Sequence, residues 1–147
     1  MRRREFLLLI TATAMAPLAA AQSSRDATMY KNPQCGCCGE HAKYLRQHGY
    51  RVAEVPTHDL DRLRAEHGVP EPLYGCHMIL VGGYVVEGHV SATVVDRLLR
   101  ERPSIRGISL PGMPSGSPGM TGRKEGPFTI YEIANQPGSR PRVYASE

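Results

Sequence analysis

Hydrophobic and polar positions follow two different periods along residues 27–102. Alternation with a period of two predicts strands, and apolar spacings of three to four predict helices. The predicted elements are, in chain order, strand 27–31, helix 38–48, strand 50–55, helix 60–67, strands 77–81 and 84–87, and helix 92–102. Gly82-Gly83 between the last two strands is typical of a two-residue hairpin turn. The order β-α-β-α-β-β-α predicts an α/β, thioredoxin-like fold, a mixed sheet with flanking helices.

Two of these helices begin after residues that favour the N-cap position. Asp59 and Ser91 each precede a helical apolar pattern, and a side-chain oxygen at this position can accept a hydrogen bond from the first turn. Gly68 and Pro103 mark the corresponding ends, because neither residue continues a helix well. We therefore expect Asp59 to cap its helix and Ser91 to open the other.

The regular pattern stops beyond residue 105. Residues 107–122 are rich in glycine, proline and methionine, and they predict a Gly/Pro-rich C-terminal arm without regular structure. Residues 128–133 read as one more strand at a sheet edge, and residues 135–147 as a polar, poorly ordered tail. The thioredoxin-like metal-binding domain is expected to cover residues 22–134, arm included.

The first 21 residues are predicted to be an export signal peptide. Arginines at positions 2–4 precede an apolar run over 6–18, and the alanines at 19–21 form an A-x-A cleavage signal. This run is shorter than the roughly 20 apolar residues that a membrane span requires. Arg3-Arg4 followed by apolar residues also resembles the twin-arginine signal, although an ordinary secretory signal starts similarly. The mature chain is expected in the periplasm, without a membrane anchor.

Composition and charge exclude some function classes. The apolar fraction of 41% is ordinary for a soluble domain with one core. The formal net charge of +4 becomes smaller once the arginine-rich signal is removed. We therefore expect no nucleic-acid partner and no membrane surface partner.

Four cysteines carry the most specific chemical signal. Cys35, Cys37 and Cys38 lie at the start of the first predicted helix, where free backbone N–H groups and the helix dipole stabilise thiolates. Cys76 precedes the third strand, which in a thioredoxin-like topology starts beside the first β-to-α turn. Four sulfurs should then converge, either as metal ligands or as disulfides in an oxidising compartment.

The cysteine spacing favours several soft ions over one zinc ion. Closed zinc sites usually pair ligands as C-x₂₋₄-C, whereas the adjacent Cys37 and Cys38 diverge too far for one tetrahedral ion. Thiolates can bridge Cu(I) ions, which prefer soft ligands. A Cys37–Cys38 disulfide is disfavoured, because neighbouring Cα atoms lie about 3.8 Å apart, below the usual range of roughly 4.4 to 6.8 Å. The other pairings remain open.

Histidines and methionines are further ligand candidates. His41 is at helical spacing from the cysteines, which places its ring on their side of the helix. His77 follows Cys76, and strand alternation sends the two side chains to opposite faces, so a ligand role and a core role are equally expected. His89 follows the hairpin. Met113 and Met120 lie in the arm without apolar neighbours, where a thioether could ligate Cu(I). The candidate metal ligands are Cys35, Cys37, Cys38, Cys76, His41, His77, His89, Met113 and Met120.

Several separated motifs resemble those of one family, the small exported bacterial metal-binding proteins that include the copper-resistance protein CopG. The shared segments are Tyr30–Cys38, Gly75-Cys76-His77, Gly83–Val90 and Pro111–Met120. The resemblance implies a thioredoxin-like fold, a periplasmic location and a polynuclear copper site on the four cysteines. Two positions depart from it: His41 stands where the family often has Trp, and Met78 where a small polar residue is common.

Three functions remain in competition. The first is periplasmic copper handling, in which bound Cu(I) is sequestered or its oxidation states are interconverted, with copper ions and other periplasmic copper proteins as partners. The second is a thiol-disulfide oxidoreductase, because Cys35 and Cys38 have the C-x-x-C spacing of thioredoxin-like redox sites. The third is an interaction module stapled by two disulfides.

Overall fold

A computed structural model describes residues 25–147, so the predicted signal peptide at 1–21 lies outside the described residues. The strands in this part of the chain are β1 (Asp26–Lys31), β2 (Arg51–Pro56), β3 (Met78–Val81), β4 (Tyr84–Glu87), β5 (Gly107–Ser109), β6 (Thr129–Ile133) and β7 (Val143–Ser146). The α-helices are α1 (Gly36–Gln47), α2 (Leu60–Glu66) and α3 (Ala92–Glu101), and a 3₁₀ turn covers Glu71–Leu73. None of the helices within 25–147 is long and apolar enough to cross a bilayer.

The described strands form one mixed sheet in the order β2-β1-β3-β4-β5-β6-β7. β1 pairs with β2 in parallel and with β3 in antiparallel orientation, and β3 and β4 form the predicted hairpin. β5 runs parallel to β4, whereas β6 and β7 continue the sheet in antiparallel orientation. The mixed α/β fold predicted from the sequence is confirmed, while its thioredoxin-like classification stays a prediction.

Strand alternation divides the core between the two faces of the sheet. Met29, Ile79 and Val86 belong to the larger cluster, which also contains the apolar sides of α1 and α3. Met78 and Val85 point the other way and pack with apolar residues of α2 and the 3₁₀ turn. Because the side-chain period of a strand is two, neighbouring residues of β3 and β4 serve opposite layers. Cys76 and His77 come directly before β3, at the end of this central hairpin.

The C-terminal part is more regular than the sequence predicts. Residues 107–109, expected in the arm, form β5 between β4 and β6, and β6 is not at an edge because β7 pairs with it. Residues 143–146, expected in a poorly ordered tail, form β7, which is the edge strand at this side of the sheet. Next to it, two backbone hydrogen bonds of 2.7 and 3.1 Å join Phe128 and Glu147. Val143 is 59% exposed, whereas Tyr144 and Ala145 are partly buried against the larger core cluster, so backbone pairing and partial side-chain burial both order this strand.

Of the two residues expected at the start of a helix, Ser91 caps with its side chain and Asp59 does not. Ser91 opens α3 as predicted, and its Oγ accepts a 3.3 Å hydrogen bond from the N–H of Val94. Asp59 occupies the N-cap position of α2, but its side chain makes no capping bond. Its carboxylate lies instead 3.8 Å from Arg62, a charged neighbour one turn along the helix.

Candidate metal centre

The turn between β1 and α1 places three cysteines at a helix N-terminus. The Asn32 side chain accepts a 3.0 Å bond from the N–H of Gln34, and its carbonyl accepts another from the N–H of Cys35. This turn leaves Cys35 at the N-cap with extended backbone, so Cys37 and Cys38 fall in the first helical turn. Asparagine favours such local turns because its side chain replaces a backbone acceptor.

Cys76 brings the fourth sulfur to the same point. Its Sγ lies 3.1 Å from that of Cys35, 3.2 Å from that of Cys37 and 3.3 Å from that of Cys38. The Sγ atoms of Cys35 and Cys37 are 3.5 Å apart. Cys38 is fully buried, and the other three side chains are half-buried. The structure thus brings together the four cysteines that the sequence predicts to converge.

Two of these cysteines are covalently paired. Cys35 and Cys38 form a disulfide, whereas Cys37 and Cys76 are free thiols, so the two-disulfide arrangement is not found within the described residues. Burial, followed by the hydrogen bond between its thiol and Cys37, raises the pKa of Cys76 to about 12. Four thiolate ligands therefore require reduction of the disulfide by two electrons and a cation that displaces the thiol protons.

A buried ion pair holds the loop that carries Cys76. Glu87 of β4 accepts hydrogen bonds from Nε of Arg64 at 2.9 Å and from the N–H of Gly75 at 3.0 Å. Arg64 of α2 also donates to the carbonyl of Gly75 at 2.7 Å. A Cβ at position 75 would lie 2.6 Å from the Cα of Gly88. Only a glycine at position 75 therefore allows the loop to pack this closely against the end of β4. The N–H and the carbonyl of Gly75, the residue before Cys76, are thus both held by hydrogen bonds.

Three histidines form a buried group beside the sulfurs. The ring centroids of His41, His77 and His89 are 4.8 to 4.9 Å apart, and each side chain is fully buried. Ligand atoms of Cys76, His77 and His89 all lie within 4.8 Å of one another. Nδ1 of His77 and Nε2 of His89 are buried without a hydrogen-bond partner among the described residues. A soft metal ion fits these donors, because two buried nitrogen atoms lack partners that a cation beside the Cys76 sulfur would supply.

His41 differs from the other two rings. Its Nδ1 lies 2.8 Å from Nε2 of His77, and its Nε2 lies 2.9 Å from the carbonyl oxygen of Val90. Both ring nitrogens therefore have partners already. Burial, and then the neighbouring His89, lowers the pKa of His41 to about 3, while the bond to Val90 opposes this shift.

The other two histidines are also held neutral by their surroundings. Burial is the main cause that lowers the pKa of His77, with the other two rings adding to the effect. Burial lowers the pKa of His89 as well, against a hydrogen bond to Pro118 that raises it. Neutral imidazole is the form that binds metal ions.

The arm runs between the two elements that carry the cysteines. Gly112 forms a parallel bridge with Gly75, next to Cys76, and donates to the carbonyl of Tyr74 at 2.9 Å. At the other end, Gly119 lies so close to α1 that a Cβ would come within 2.5 Å of the backbone nitrogen of His41. Glycine permits this approach. The arm is therefore docked at both ends beside the sulfur group.

The two candidate methionines lie at these docking points. Met113 follows Gly112 and is 59% exposed, whereas Met120 follows Gly119 and is half-buried. The N–H of Met120 donates to the carbonyl of Ser117 at 2.8 Å, within a turn of the arm. Their placement beside the Cys76 loop and α1 keeps both thioethers as candidates.

Comparisons with known proteins agree with this description. A family model described as "Protein of unknown function, DUF411" matches residues 73–120. Two solved structures, titled "Copper resistance protein copG", Forms 2 and 1, are each 31% identical with a TM-score of 0.75, and cover 83% of this chain and 97% and 96% of their own. No curated protein gives a significant match. The chain belongs to the family of the copper-resistance protein CopG.

Proposed function

We propose that this chain is an exported copper-handling protein that binds several Cu(I) ions on Cys35, Cys37, Cys38 and Cys76. The observation that supports it most strongly is the convergence of four sulfur atoms, with Cys76 3.1 to 3.3 Å from each of the others. Sulfurs this close can bridge neighbouring soft ions, and the family assignment favours copper. Sequestration of Cu(I), or interconversion of its oxidation states, would serve copper resistance.

The remaining site residues take graded roles in this proposal. His77 and His89 offer unpartnered nitrogens beside Cys76, so we assign them as nitrogen ligands. Met113 and Met120 would complete the site from the arm as soft ligands. Export by the signal at 1–21 and a thioredoxin-like classification of the domain belong to the same proposal, with copper ions and other periplasmic copper proteins as partners.

Metal analysis of anaerobically purified, reduced protein tests the proposal. We expect more than one Cu(I) per chain, with all four thiols protected from alkylation in the loaded form. The same protein with its Cys35–Cys38 disulfide intact is the matched control, and it should load less copper because only two thiols remain. A limit of one zinc ion per chain and no copper would contradict the proposal.

The disulfide favours a second candidate function, thiol-disulfide exchange at Cys35 and Cys38. Cys38 is fully buried, so Cys35 would be the attacking sulfur in the reduced form. Metal-free protein would reduce a small disulfide substrate while Cys35 and Cys38 are oxidised to their disulfide, which an added dithiol reduces again. Turnover that is lost in Cys35→Ser and retained in Cys76→Ser would support this function. Copper loading without such turnover would contradict thiol-disulfide exchange and support copper handling.

The methionine assignment predicts a metal-selective loss. Met113→Ala should weaken Cu(I) binding but leave Zn²⁺ binding nearly unchanged, because a thioether is a soft ligand. Since Met113 is 59% exposed, its replacement should change the free energy of unfolding by no more than about 0.5 kcal/mol. Parallel titrations with Cu(I) and Zn²⁺ measure the selectivity.

Met29→Ala is the contrasting control, since Met29 is fully buried in the core. This variant should lower the free energy of unfolding by roughly 2 to 5 kcal/mol. Equal weakening for both metals in Met113→Ala would overturn the ligand role, and the same titrations on Met120→Ala test the second thioether.

A further inference from the structure

The hydrogen bonds of the three buried histidines determine which ring nitrogen carries the proton. A carbonyl oxygen only accepts, so the 2.9 Å contact with Val90 requires a proton on Nε2 of His41. An uncharged ring has a single N–H, and Nδ1 of His41 is therefore an acceptor. The 2.8 Å contact between Nδ1 of His41 and Nε2 of His77 then requires the proton on His77.

This chain of bonds leaves a lone pair at a defined atom. Nδ1 of His77 is without a proton, and it is the nitrogen that is buried and has no partner among the described residues. The opposite tautomer would bury an N–H at Nδ1 with no acceptor and would place two lone pairs against each other at Nε2. Both outcomes are unfavourable in a buried site.

His89 reaches the same state independently. Its Nδ1 lies 2.7 Å from the carbonyl oxygen of Pro118 in the arm, so Nδ1 carries the proton. Nε2 is then a bare lone pair, and it too is buried without a partner in the described part of the chain. His77 and His89 thus each carry one unprotonated, buried nitrogen, and ligand atoms of these two residues and of Cys76 lie within 4.8 Å of one another.

We infer that His41 is a positioning residue of the metal site and not a ligand: it holds His77 in the tautomer that presents Nδ1, beside Cys76 and Nε2 of His89. The three donors form a nitrogen-bearing end of the metal site, joined to the sulfur group through Cys76. This inference rests on the proposed function for the identity of the metal, but the tautomers belong to the metal-free protein. Outer partners of this kind commonly orient ligating histidines.

Two-bond ¹⁵N–¹H correlation spectra of the metal-free, full-length chain test the assignment directly. We expect His77 to be protonated at Nε2 and bare at Nδ1, and His89 to be protonated at Nδ1 and bare at Nε2. A proton on Nδ1 of His77 would overturn the inference. Because no copper is present, this result does not depend on whether the protein binds copper.

Substitution of His41 separates positioning from packing. His41→Phe keeps a ring in the buried site but removes the acceptor for His77, so His77 should lose its single tautomer and Cu(I) affinity should fall about 10- to 100-fold. His41→Gln, whose amide can accept from His77 and donate to Val90, should recover most of that affinity. His67→Phe is the matched control, because His67 also contacts a backbone carbonyl, that of Leu63 at 2.8 Å, outside the three-histidine group.

The outcomes distinguish the two proposals. Wild-type tautomers as expected in a chain that binds no copper would contradict the proposed function and leave the positioning role standing. Unchanged His77 tautomer and copper affinity in a folded His41→Phe variant would contradict the positioning role. If His41→Phe does not fold, the spectra of the wild-type chain decide alone.

Discussion

Replacement of Cys76 by serine is expected to lower Cu(I) affinity at least about tenfold, as much as Cys37→Ser does. The reason is its central place: Sγ of Cys76 is within 3.1 to 3.3 Å of the other three sulfurs, so a bridging role would touch several ions at once. A hydroxyl is a hard ligand with little affinity for Cu(I). Competition with a Cu(I) chelator under anaerobic, reducing conditions measures both variants.

Two controls make the Cys76 result interpretable. Far-UV circular dichroism shows whether Cys76→Ser retains the fold, which we expect because the side chain is half-buried. Wild-type protein with the Cys35–Cys38 disulfide intact shows the affinity that Cys37 and Cys76 provide by themselves. Copper loading of Cys76→Ser equal to that of wild type would mean that the metal is confined to the turn at residues 35–38.

The predictable part of the fold is the part with strong local patterns. Strands β1 to β4 and the helices between residues 36 and 101 follow apolar periods of two or three to four, and the structure has them within a few residues of the predicted bounds. β5 has only three residues and begins with Gly107, and its pairing partners β4 and β6 are distant in the chain. β7 is held by backbone bonds to β6 and by Tyr144 and Ala145, which are only partly buried against the core. Neither strand has a side-chain period that a sequence could reveal.

The same distinction applies to the candidate site. The cysteines could be placed together because three share one turn and topology brings Cys76 to it. The contact between His41 and His77 determines the tautomer of His77. It joins a helix to the loop before β3, so no local sequence pattern predicts it. Helical spacing predicted a ligand role for His41. It could not predict that Nδ1 of His41 bonds to His77 instead.

The ion pair beneath Cys76 did leave a sequence signal that helical spacing could have found. Arg64 lies four residues after Leu60, on the side of α2 that packs against the sheet, where a charge requires a buried partner. That partner, Glu87, lies in the shared segment at 83–90 and occupies an inward position of β4. A buried charge at such a position indicates pairing.

Arg64→Ala is expected to lower the free energy of unfolding by about 3 to 5 kcal/mol, because it leaves Glu87 charged and unpaired inside the protein. The Arg64 side chain is 7% exposed and that of Glu87 is fully buried. Arg62→Ala, on the same helix, is the matched control: its pair with Glu66 is exposed and should contribute at most about 1 kcal/mol. Urea denaturation of both variants gives the comparison.

A second pair of variants separates stability from the placement of Cys76. Arg64→Lys keeps the charge, but an ammonium lacks the planar fork that reaches both Glu87 and the Gly75 carbonyl. Expressed as free energies, the loss of Cu(I) binding should therefore exceed the loss of folding stability. Arg64→Met combined with Glu87→Leu removes both buried charges, and its stability should recover toward that of wild type. The backbone groups of Gly75 remain without partners in this double variant, so its Cu(I) affinity should stay low. Wild-type copper affinity in the stable double variant would show that the ion pair supports the fold alone and that the Cys76 loop is positioned without it.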